Sequence, residues 1–387
     1  MQILIEQASL LRLVDAARRI SPTRTTKPIL THLLLEPGDN LIVTGTDEEL
    51  SYVGSTPAQV EAKGRVAVPA KDLYDIVRTL PKGQVVSLRC DPTETMLEVE
   101  CSTIQFSLNT LPADDFPNVT TTSSSKDAVT LPSRDLSKLL EQALYAVSQE
   151  ETRYYLGGVY LEQTTDGDWP TIRAVATDGH RLALSQQSRK GEQRLPWEGG
   201  RILPSRLLRE LLQALPKNIP TLPVTLEYEN NRVSFTVGDD QILSGMLVEG
   251  SFPDYKMVIP RKTVCDCVVN RESLSQALTR ISLMSPEKTA GVRVTLEKGK
   301  LTLSSQSTGR GKGKESLEVK SDGAVEAGFN AQFLREALGS FSEPEVRLSF
   351  VDHLSPITIR AELSPEDMED NAPSMGPQMA VVMPMRL

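Results

Sequence analysis

The side chains best suited to acid–base or metal chemistry are few in this sequence of 387 residues. Its only histidines are His32, His180 and His353. Asp178 and His180 lie close together in the segment ATDGHRLA, and a carboxylate beside an imidazole is a potential acid–base pair of a hydrolase. Because no nucleophile with a distinctive setting accompanies them, a turn around Gly179 is the better interpretation. A hydrolase that uses Asp178 and His180 is kept as the enzymatic alternative.

The other motifs of catalytic or metal-binding type are absent or incomplete. The sequence contains no HExxH, no GxSxG and no pair of CxxC motifs. Cys265 and Cys267 are expected on one face of a strand, but two thiols alone do not form a zinc site. The segment GRGKGK at 309–314 lacks the spacing of a phosphate-binding loop, since Glu315 follows Lys314, and it predicts a flexible basic hairpin tip. The sequence therefore predicts neither a cofactor nor a metal.

The composition is that of an ordinary globular protein with an acidic balance. Hydrophobic residues make up 39% of the chain, charged residues 24%, and the formal net charge is -9. Taken alone, the acidic balance counts against nucleic acid as a partner, because phosphate binding depends on Lys and Arg. Four cysteines predict no disulfide scaffold, and no apolar run approaches the roughly 18 residues of a membrane span. The N-terminal MQILIEQ is typical of a strand and does not resemble a signal peptide. We therefore expect a cytoplasmic protein with no membrane partner.

Six segments share the apolar spacing i, i+3, i+4, i+7 of an amphipathic helix. Their apolar stripes begin at Leu10, Leu73, Leu136, Leu208, Leu274 and Leu334. The first, third and fifth stripes recur at intervals of about 130 residues, as do the second, fourth and sixth, which indicates a repeat of whole domains. The residues predicted to cap exposed N–H groups at helix starts are Ser133, Ser205, Asn270 and Asn330.

Alternating, β-rich stretches bounded by turn residues lie between the predicted helices. Helices and strands together give three repeated units of α+β type. The predicted domains are 1–125, 126–260 and 261–387. The segment NVTTTSSSKD at 118–127 suits a linker, and the acidic, Pro-rich segment 364–378 is predicted to form a mobile loop before the last strand.

The predicted helices carry more Lys and Arg than Asp and Glu, although the whole chain is acidic. Most of these basic side chains lie outside the apolar face of their helix and should therefore face solvent. An ordinary solvated helix face explains this as readily as a basic surface does. Because equivalent helices in repeated domains can line one common surface, the repeat favours a common basic surface.

Five motifs resemble those of the bacterial DNA polymerase III β clamp family. They are RYYLGG at 153–158, ATDGHRLA at 176–183, FPDY at 252–255, GFN at 328–330 and the terminal VVMPMRL at 381–387. The similarity runs essentially from end to end, and the second and last motifs are highly specific to the family. One mild departure falls inside the first motif, where the family usually has Asn at the position of Gly157.

The resemblance implies a DNA-clamp fold in which each domain has two helices backed by β-sheets. Two subunits of three domains would join head to tail into a homodimeric ring around duplex DNA, bound without regard to sequence. The family is non-catalytic: it tethers the DNA polymerase III catalytic subunit, other polymerases and repair proteins through short linear peptides, and a clamp loader opens it. The implied place is the bacterial cytoplasm, at the nucleoid. A peptide-binding scaffold with no DNA role is kept as a further alternative.

The family's DNA-contacting positions correspond here to Arg24, Arg78, Glu150, Tyr154 and Tyr155. The two arginines can pair with phosphate, and the tyrosines can stack on bases or donate to a strand. Two adjacent tyrosines, one buried and one exposed, are also explained by packing alone. Relatives often carry Gln at the position of Glu150, so a direct phosphate contact by this carboxylate is not expected.

The family's partner pocket accepts short linear peptides in an exposed apolar cleft with a polar rim. The implied pocket residues are Leu156, Thr177, Gly179, His180, Arg181, Leu182, Pro253, Val258, Asn330, Phe333, Leu354, Pro356, Val381, Val382, Met383, Pro384, Met385, Arg386 and Leu387. Met257 stands where Arg is frequent and Thr289 where an aromatic residue is frequent, so an altered peptide preference is expected.

Overall fold

The computed structural model describes residues 1–91, 95–119, 128–166, 169–188, 194–285, 290–362 and 378–386. Most of the predicted linker and of the predicted acidic loop lies outside these residues, as do Thr289 and Leu387. The described chain forms two compact units. The first unit contains residues 1–134 and 206–247, and the second unit contains 135–205 and 248–387.

All six predicted amphipathic helices form. They are α1 (Gln7–Ile20), α2 (Ala70–Thr79), α3 (Ser133–Leu144), α4 (Ser205–Ala214), α5 (Arg271–Ser282) and α6 (Ala331–Gly339). The leucines that begin the predicted stripes are buried in every helix. Shorter 3-10 helices cover Pro28–Thr31, Ala113–Asp115, Glu151–Leu156 and Tyr255–Met257.

Two sheets belong to the first unit, and all their neighbouring strands are antiparallel. Their strands are β1 (Gln2–Glu6), β2 (His32–Pro37), β3 (Asn40–Thr46), β4 (Leu50–Pro57), β5 (Gln59–Ala62), β6 (Val66–Pro69), β7 (Val85–Arg89), β8 (Met96–Cys101), β9 (Ile104–Asn109), β10 (Val129–Pro132), β15 (Pro223–Glu229), β16 (Arg232–Val237) and β17 (Gln241–Met246). The five-stranded sheet has the order β5-β1-β7-β8-β9, and the eight-stranded sheet has the order β10-β15-β16-β17-β4-β3-β2-β6.

Two further sheets belong to the second unit. Their strands are β11 (Gly158–Asp166), β12 (Trp169–Thr177), β13 (Arg181–Ser188), β14 (Gly200–Pro204), β18 (Cys265–Asn270), β19 (Gly291–Glu297), β20 (Lys300–Ser307), β21 (Gly311–Glu318), β22 (Lys320–Ser321), β23 (Val325–Asn330), β24 (Glu345–Phe350), β25 (Ile357–Ala361) and β26 (Met379–Val382). The nine-stranded sheet has the order β14-β11-β12-β13-β26-β25-β24-β18-β22, and the four-stranded sheet has the order β21-β20-β19-β23.

The helix starts test the capping predictions individually. The Asn270 side chain accepts a hydrogen bond from the backbone N–H of Ser273, and the Asn330 side chain accepts from Gln332 at 2.8 Å, so both asparagine caps are confirmed. The Ser133 hydroxyl donates to the carbonyl oxygen of Ile219 at 2.8 Å. A serine hydroxyl that donates can still accept from a helix N–H, so the cap by Ser133 stays a prediction.

The two compact units do not follow the predicted domain boundaries. The middle third of the chain contributes residues 206–247 to the first unit and residues 135–205 to the second. The strands of this stretch also lie in different sheets, β15 to β17 in the eight-stranded sheet and β11 to β14 in the nine-stranded one. The division into domains 1–125, 126–260 and 261–387 therefore stays a prediction.

Gly45 of β3 offers a test of the packing between α1 and its sheet. A Cβ atom at this position would lie 2.4 Å from the carbonyl oxygen of Ala17 in α1. Since backbone cannot move aside as a flexible side chain can, we expect Gly45→Ala to destabilise the protein by about 1–3 kcal/mol. Thermal unfolding followed by circular dichroism measures this, with Gly38→Ala as control because its Cβ would meet its nearest neighbour at 3.9 Å. Equal melting temperatures for the two variants would contradict the close packing.

Candidate functional site: an apolar cavity and exposed basic side chains

The Asp178–His180 segment forms a turn and not an acid–base pair. The Asp178 carboxylate accepts from the backbone N–H groups of His180 at 2.9 Å and Arg181 at 3.0 Å. Its second oxygen accepts from Nε of Arg181 at 3.0 Å. Gly179 adopts a φ of 88°, a left-handed conformation that favours glycine. The carboxylate therefore holds the turn together, as the turn interpretation predicts.

Arg181 anchors this turn to the rest of the second unit. Its guanidinium forms an ion pair with Glu336 of α6 and donates to the carbonyl oxygen of Tyr145 at 2.8 Å. It also lies 4.7 Å from the ring centroid of Phe333. With its side chain only 10% exposed, Arg181 is held on several sides at once. A side chain fixed in this way makes a rigid wall for the cavity beside it.

An apolar cavity of about 170 Å³ lies beside the turn and is called the peptide cavity below, after the partner pocket that the resemblance implies. It is lined by Leu156, Thr177, Gly179, Arg181, Leu182, Pro253, Asp254, Tyr255, Val258, Val381 and Met383. The strand register explains the wall, because Leu182 of β13 pairs with Thr177 of β12 on one side and with Val381 of β26 on the other. Directly paired residues project from the same face of a sheet, so segments distant in the chain form one surface.

Tyr255 closes one side of the cavity and is itself buried. Its hydroxyl donates to the Glu162 carboxylate at 2.5 Å and accepts from the Arg173 guanidinium at 2.8 Å. Burial, with a further contribution from Glu162, raises the pKa of Tyr255 to about 12. The hydroxyl therefore stays protonated in neutral solution and holds the ring in place.

The chain from Met383 to Arg386 runs alongside the peptide cavity. The backbone N–H of Met383 donates to the carbonyl oxygen of His180 at 2.9 Å, and that of Met385 donates to Gly328 at 2.8 Å. The rings of His180 and Phe333 stack with centroids 6.1 Å apart and an interplanar angle of 18°. These contacts bring the turn, α6 and the C-terminal segment together in the second unit.

The structure gathers nine of the predicted pocket residues into the cavity wall. They are Leu156, Thr177, Gly179, Arg181, Leu182, Pro253, Val258, Val381 and Met383. Predicted pocket residues outside this wall are His180, Asn330, Phe333, Leu354, Pro356, Val382, Pro384, Met385 and Arg386. Leu387 lies outside the described residues.

Several of the residues outside the wall have other identifiable places. Asn330 caps α6. Leu354 is 66% exposed in the loop before β25, and Val382 is buried within its sheet, where it pairs with Arg181. Met257, one of the departures from the family pattern, is 74% exposed next to the cavity wall.

Sequence reasoning missed Asp254 and Tyr255 as wall residues. Both stand in FPDY, a segment already singled out as a motif, between the predicted pocket residues Pro253 and Val258. A single tyrosine without a chemical partner in the motif is most simply interpreted as part of a core, and Tyr255 is indeed buried. What adds it to the cavity wall is the 3-10 helix Tyr255–Met257, which is too short to leave a periodic signal.

The predicted DNA-contacting arginines lie in the first unit, at the ends of its helices. Arg24 is exposed in the loop after α1 and has no ion pair with any residue that the structure describes. Arg78 is exposed in the last turn of α2, 3.4 Å from Asp75 and 5.5 Å from the ring centroid of Tyr74. Both guanidinium groups are open to a phosphate.

The other predicted DNA-contacting residues lie around the 3-10 helix Glu151–Leu156 of the second unit. Tyr154 is 59% exposed and packs edge to face against Tyr155, which is half-buried. Glu150 forms an ion pair of 3.1 Å with Arg153. The Glu150 carboxylate is thus partly neutralised, whereas Tyr154 has a ring face open to solvent.

The helices carry an excess of positive charge, as the sequence predicts. Twelve Lys and Arg side chains stand on α1 to α6 beside eight Asp and Glu. Several are paired within the protein, such as Arg12 with Asp240 at 2.7 Å. Lys71, Arg209 and Arg335 are exposed and have no ion pair among the described residues. Exposed pairs are weak and screened by salt, so phosphate can replace their carboxylates.

The remaining candidates for chemistry have structural roles. Cys265 and Cys267 are buried on one face of β18, and burial raises the pKa of the Cys267 thiol to about 12. No group of three or more His, Cys, Asp and Glu side chains in the described ranges could hold a metal ion. Gly309 and Arg310 lie in the turn between β20 and β21, and residues 311–314 begin β21, so the predicted hairpin forms but only part of the segment is its tip. Among the helices described here, none is long and apolar enough to cross a membrane.

Comparison with protein families gives three adjoining matches. The N-terminal domain of the DNA polymerase III beta subunit matches residues 1–120, its central domain matches 130–254 and its C-terminal domain matches 256–373.

Similar proteins are aligned over nearly the whole chain. The beta sliding clamp of Caulobacter vibrioides is 33% identical over 368 residues, which cover 94% of this chain and 97% of that protein. The beta sliding clamp of Escherichia coli K12 is 33% identical over 390 residues and is covered completely, as is this chain. The solved structure of a DnaN sliding clamp from Bartonella birtlesii bound to griselimycin has a TM-score of 0.90 at 30% identity, with both chains fully covered.

Proposed function

This chain belongs to the DNA polymerase III beta subunit family, and from that membership we propose that it is a sliding clamp with two binding surfaces, one for DNA and one for partner proteins. Basic side chains on the helices face duplex DNA, while the peptide cavity holds the proteins that travel with the clamp. The protein is a processivity factor and catalyses no reaction itself. The peptide cavity carries the proposal, because a protein that acts by tethering needs a preformed place for its partners.

Tethering raises the processivity of a polymerase by keeping it close to the DNA, and the clamp needs no catalytic step for this. A polymerase held through a short peptide stays near the primer end at a high effective concentration, even when the peptide itself binds weakly. The cavity suits such a peptide, because it offers an apolar floor of Leu182, Val381 and Met383 and a few polar groups at its edge. We propose the polymerase III catalytic subunit, the clamp loader, other polymerases and repair proteins as the carriers of these peptides.

The proposed DNA contacts are Arg24 and Arg78 of the first unit, and Glu150, Tyr154 and Tyr155 of the second unit. Sequence-independent contacts to phosphate let a ring slide while its closure prevents escape. Arg153, in its ion pair with Glu150, keeps that carboxylate from repelling a phosphate. The three proposed domains, 1–125, 126–260 and 261–387, each supply two helices to this surface, at the nucleoid where the DNA lies.

Two exposed sheet edges support the proposed head-to-tail dimer. β9 is the last strand of the five-stranded sheet in the first unit, and its sequence IQFSLN has no charged residue. β21 is the last strand of the four-stranded sheet in the second unit, next to Leu283, which is 63% exposed. Both edges present unpaired backbone N–H and C=O groups, which invite further pairing, although β21, unlike β9, carries Lys and Glu side chains. Addition of β9 from one copy to β21 of the other would cover both edges at each joint of the ring.

Topological retention tests the function directly. The protein is loaded onto nicked circular DNA by its clamp loader with ATP, and the complex is isolated by gel filtration. We expect it to stay on the circle through the column and to leave when a restriction enzyme linearises the DNA. A protein that needs no loader, or that stays on linear DNA equally long, binds DNA without encircling it. A protein that is never retained but binds peptides would be the scaffold without a DNA role.

A fluorescein-labelled peptide Gln-Ser-Leu-Phe-Ser-Gln tests the cavity, because its Leu and Phe can fill an apolar pocket. Griselimycin, which is bound to the Bartonella birtlesii clamp in its solved structure, serves as a second probe. Val258 lines the cavity and is 39% exposed, so Val258→Asp should reduce peptide affinity without unfolding the protein. Unchanged affinity for both probes in this variant would place their site elsewhere.

Charge reversal tests the proposed DNA contacts. We expect Arg24→Glu with Arg78→Glu to shorten the retention time on circular DNA about 10-fold. The slope of log affinity for DNA against log salt concentration should also become shallower, by the equivalent of about two phosphate contacts. The melting temperature should change little, because both side chains are exposed. Lys63→Glu with Arg89→Glu is the control, since it makes the same change of net charge at exposed positions off the helices. If both pairs act alike, only total charge matters and the two arginines have no special place on the DNA surface.

A further inference from the structure

A second cavity of about 270 Å³ lies on the same sheet face as the peptide cavity. It is lined by Arg173, Leu184, Gln186, Tyr255, Lys256, Ile259, Arg360 and Met379, and is called the cationic groove below. Its floor is buried and its rim, which includes Lys256 and Arg360, is exposed. None of its residues except Tyr255 belongs to the peptide cavity.

The groove continues the peptide cavity along the strands. Leu182 pairs with Val381 in the peptide cavity, and two residues further along Leu184 pairs with Met379 in the groove. Residues two apart on a strand share a face and lie about 7 Å apart. Tyr255 packs over both pairs and lines both cavities. A peptide whose apolar side chain fills the first cavity is therefore within two or three residues of the second.

The charges in the groove are only partly compensated. Arg173 is neutralised by Glu162 at 3.3 Å and also donates to Gln186 at 2.7 Å. Lys256 and Arg360 have no ion pair with any residue in the described part of the chain. The Arg360 guanidinium donates to the sulfur of Met379 at 3.4 Å. The rim therefore carries two positive charges that no described carboxylate neutralises, above an apolar floor.

We propose that the cationic groove selects partner peptides with an acidic residue two or three positions from the side chain that fills the peptide cavity. This rests on the proposed peptide-binding function. The aliphatic part of a Glu side chain would lie on Leu184, Ile259 and Met379, and its carboxylate would meet Lys256 and Arg360 at the rim. The chemistry recognised is thus an acidic residue next to an apolar anchor in a linear peptide.

Two labelled peptides test this. Glu-Ser-Leu-Phe-Ser-Glu carries an acid on either side of the anchor, so the direction of binding does not matter, and Gln-Ser-Leu-Phe-Ser-Gln is its neutral match. Fluorescence anisotropy with the full chain gives both affinities at low and at high salt. Since an exposed charge pair contributes little and is screened by ions, we expect a preference of about 3- to 10-fold for the Glu peptide at low salt, and none at 0.5 M NaCl.

Substitutions then assign the preference to the groove. Lys256→Gln with Arg360→Gln should abolish the preference while leaving the Gln peptide unchanged. Lys298→Gln, an exposed lysine in the turn between β19 and β20, should leave the preference intact. Residues 363–377 of this chain contain four acidic side chains and adjoin the groove in sequence, so every variant keeps them and any competition from them is the same throughout.

The outcomes separate the two proposals. Equal binding of both peptides by the unaltered protein at low salt overturns the selection of acidic peptides while the peptide cavity stands. A preference that survives the groove variant, or that Lys298→Gln also removes, overturns it as well, because general attraction to the surface then explains the result. If neither peptide nor griselimycin binds, the peptide cavity itself is wrong and the inference falls with it.

Discussion

Deleting Met383 through Leu387 is expected to reduce affinity for the Gln-Ser-Leu-Phe-Ser-Gln probe by about 100-fold, the scale of losing a central anchor of an interface. Met383 belongs to the wall of the peptide cavity, and its backbone N–H donates to His180. The deletion leaves β26 complete between β13 and β25, since its pairing ends at Val382. It removes two backbone hydrogen bonds of the described chain, each contributing about 1 kcal/mol, so the melting temperature should fall by only a few degrees.

Two matched variants distinguish a binding role of the terminus from a purely structural one. Phe333→Ala and His180→Ala remove the stacked rings beside Met383 but leave the terminus in place. If the terminus and the rings form one site, all three changes weaken the same peptide with little change in melting temperature, and sedimentation still shows a dimer. A truncated protein that melts earlier yet binds the peptide normally would limit the terminal segment to a structural role.

Leu283→Glu is expected to turn the dimer into a monomer at micromolar concentration. Leu283 follows α5 and is 63% exposed, beside Met284, which packs against Gly313 of β21. A charge buried without a partner in an interface opposes association strongly, so the dissociation constant of the dimer should rise by at least about 100-fold. Phe106→Glu on β9, where the ring is 39% exposed, should have the same effect from the other side of the joint.

Sedimentation equilibrium across a range of concentrations measures both variants. Val264→Glu is the control, because Val264 is 75% exposed and lies on neither sheet edge. All three proteins should melt near the temperature of the unaltered chain if their folds are intact. A Leu283→Glu protein that remains dimeric would remove the β21 edge from the joint, and loss of the dimer in Val264→Glu would show that the assay reports general repulsion.

The local features of the fold could be predicted from the sequence alone. The apolar stripes that begin at Leu10 and Leu334 became α1 and α6, because the spacing of apolar residues along a helix is a property of neighbouring positions. The Asn270 and Asn330 caps formed for the same reason, since each side chain reaches an N–H within three residues. The repeat along the chain likewise needed no structure to be visible.

The pocket residues were predicted from the similarity of motifs to a known family, and not from the properties of neighbouring residues in the sequence. Nine pocket residues taken from the resemblance line one cavity, although they come from segments as distant as Leu156 and Met383. The turn at Gly179 was predictable from its own residues, and the role of Asp178 within it follows from a side chain that accepts from the next N–H groups.

Tertiary structure alone decided which side chains meet across the sheet. The Ser133 hydroxyl donates to a carbonyl oxygen 86 residues away. Tyr255 lines two cavities because a single turn of 3-10 helix lies over β13 and β26, and Arg360 joins Lys256 in the groove because β25 pairs with β26. These neighbours depend on the register of strands far apart in the chain, and shifting one strand by a single residue would turn each of its side chains to the opposite face. No local pattern records that register, so the cationic groove could be found only in the folded protein.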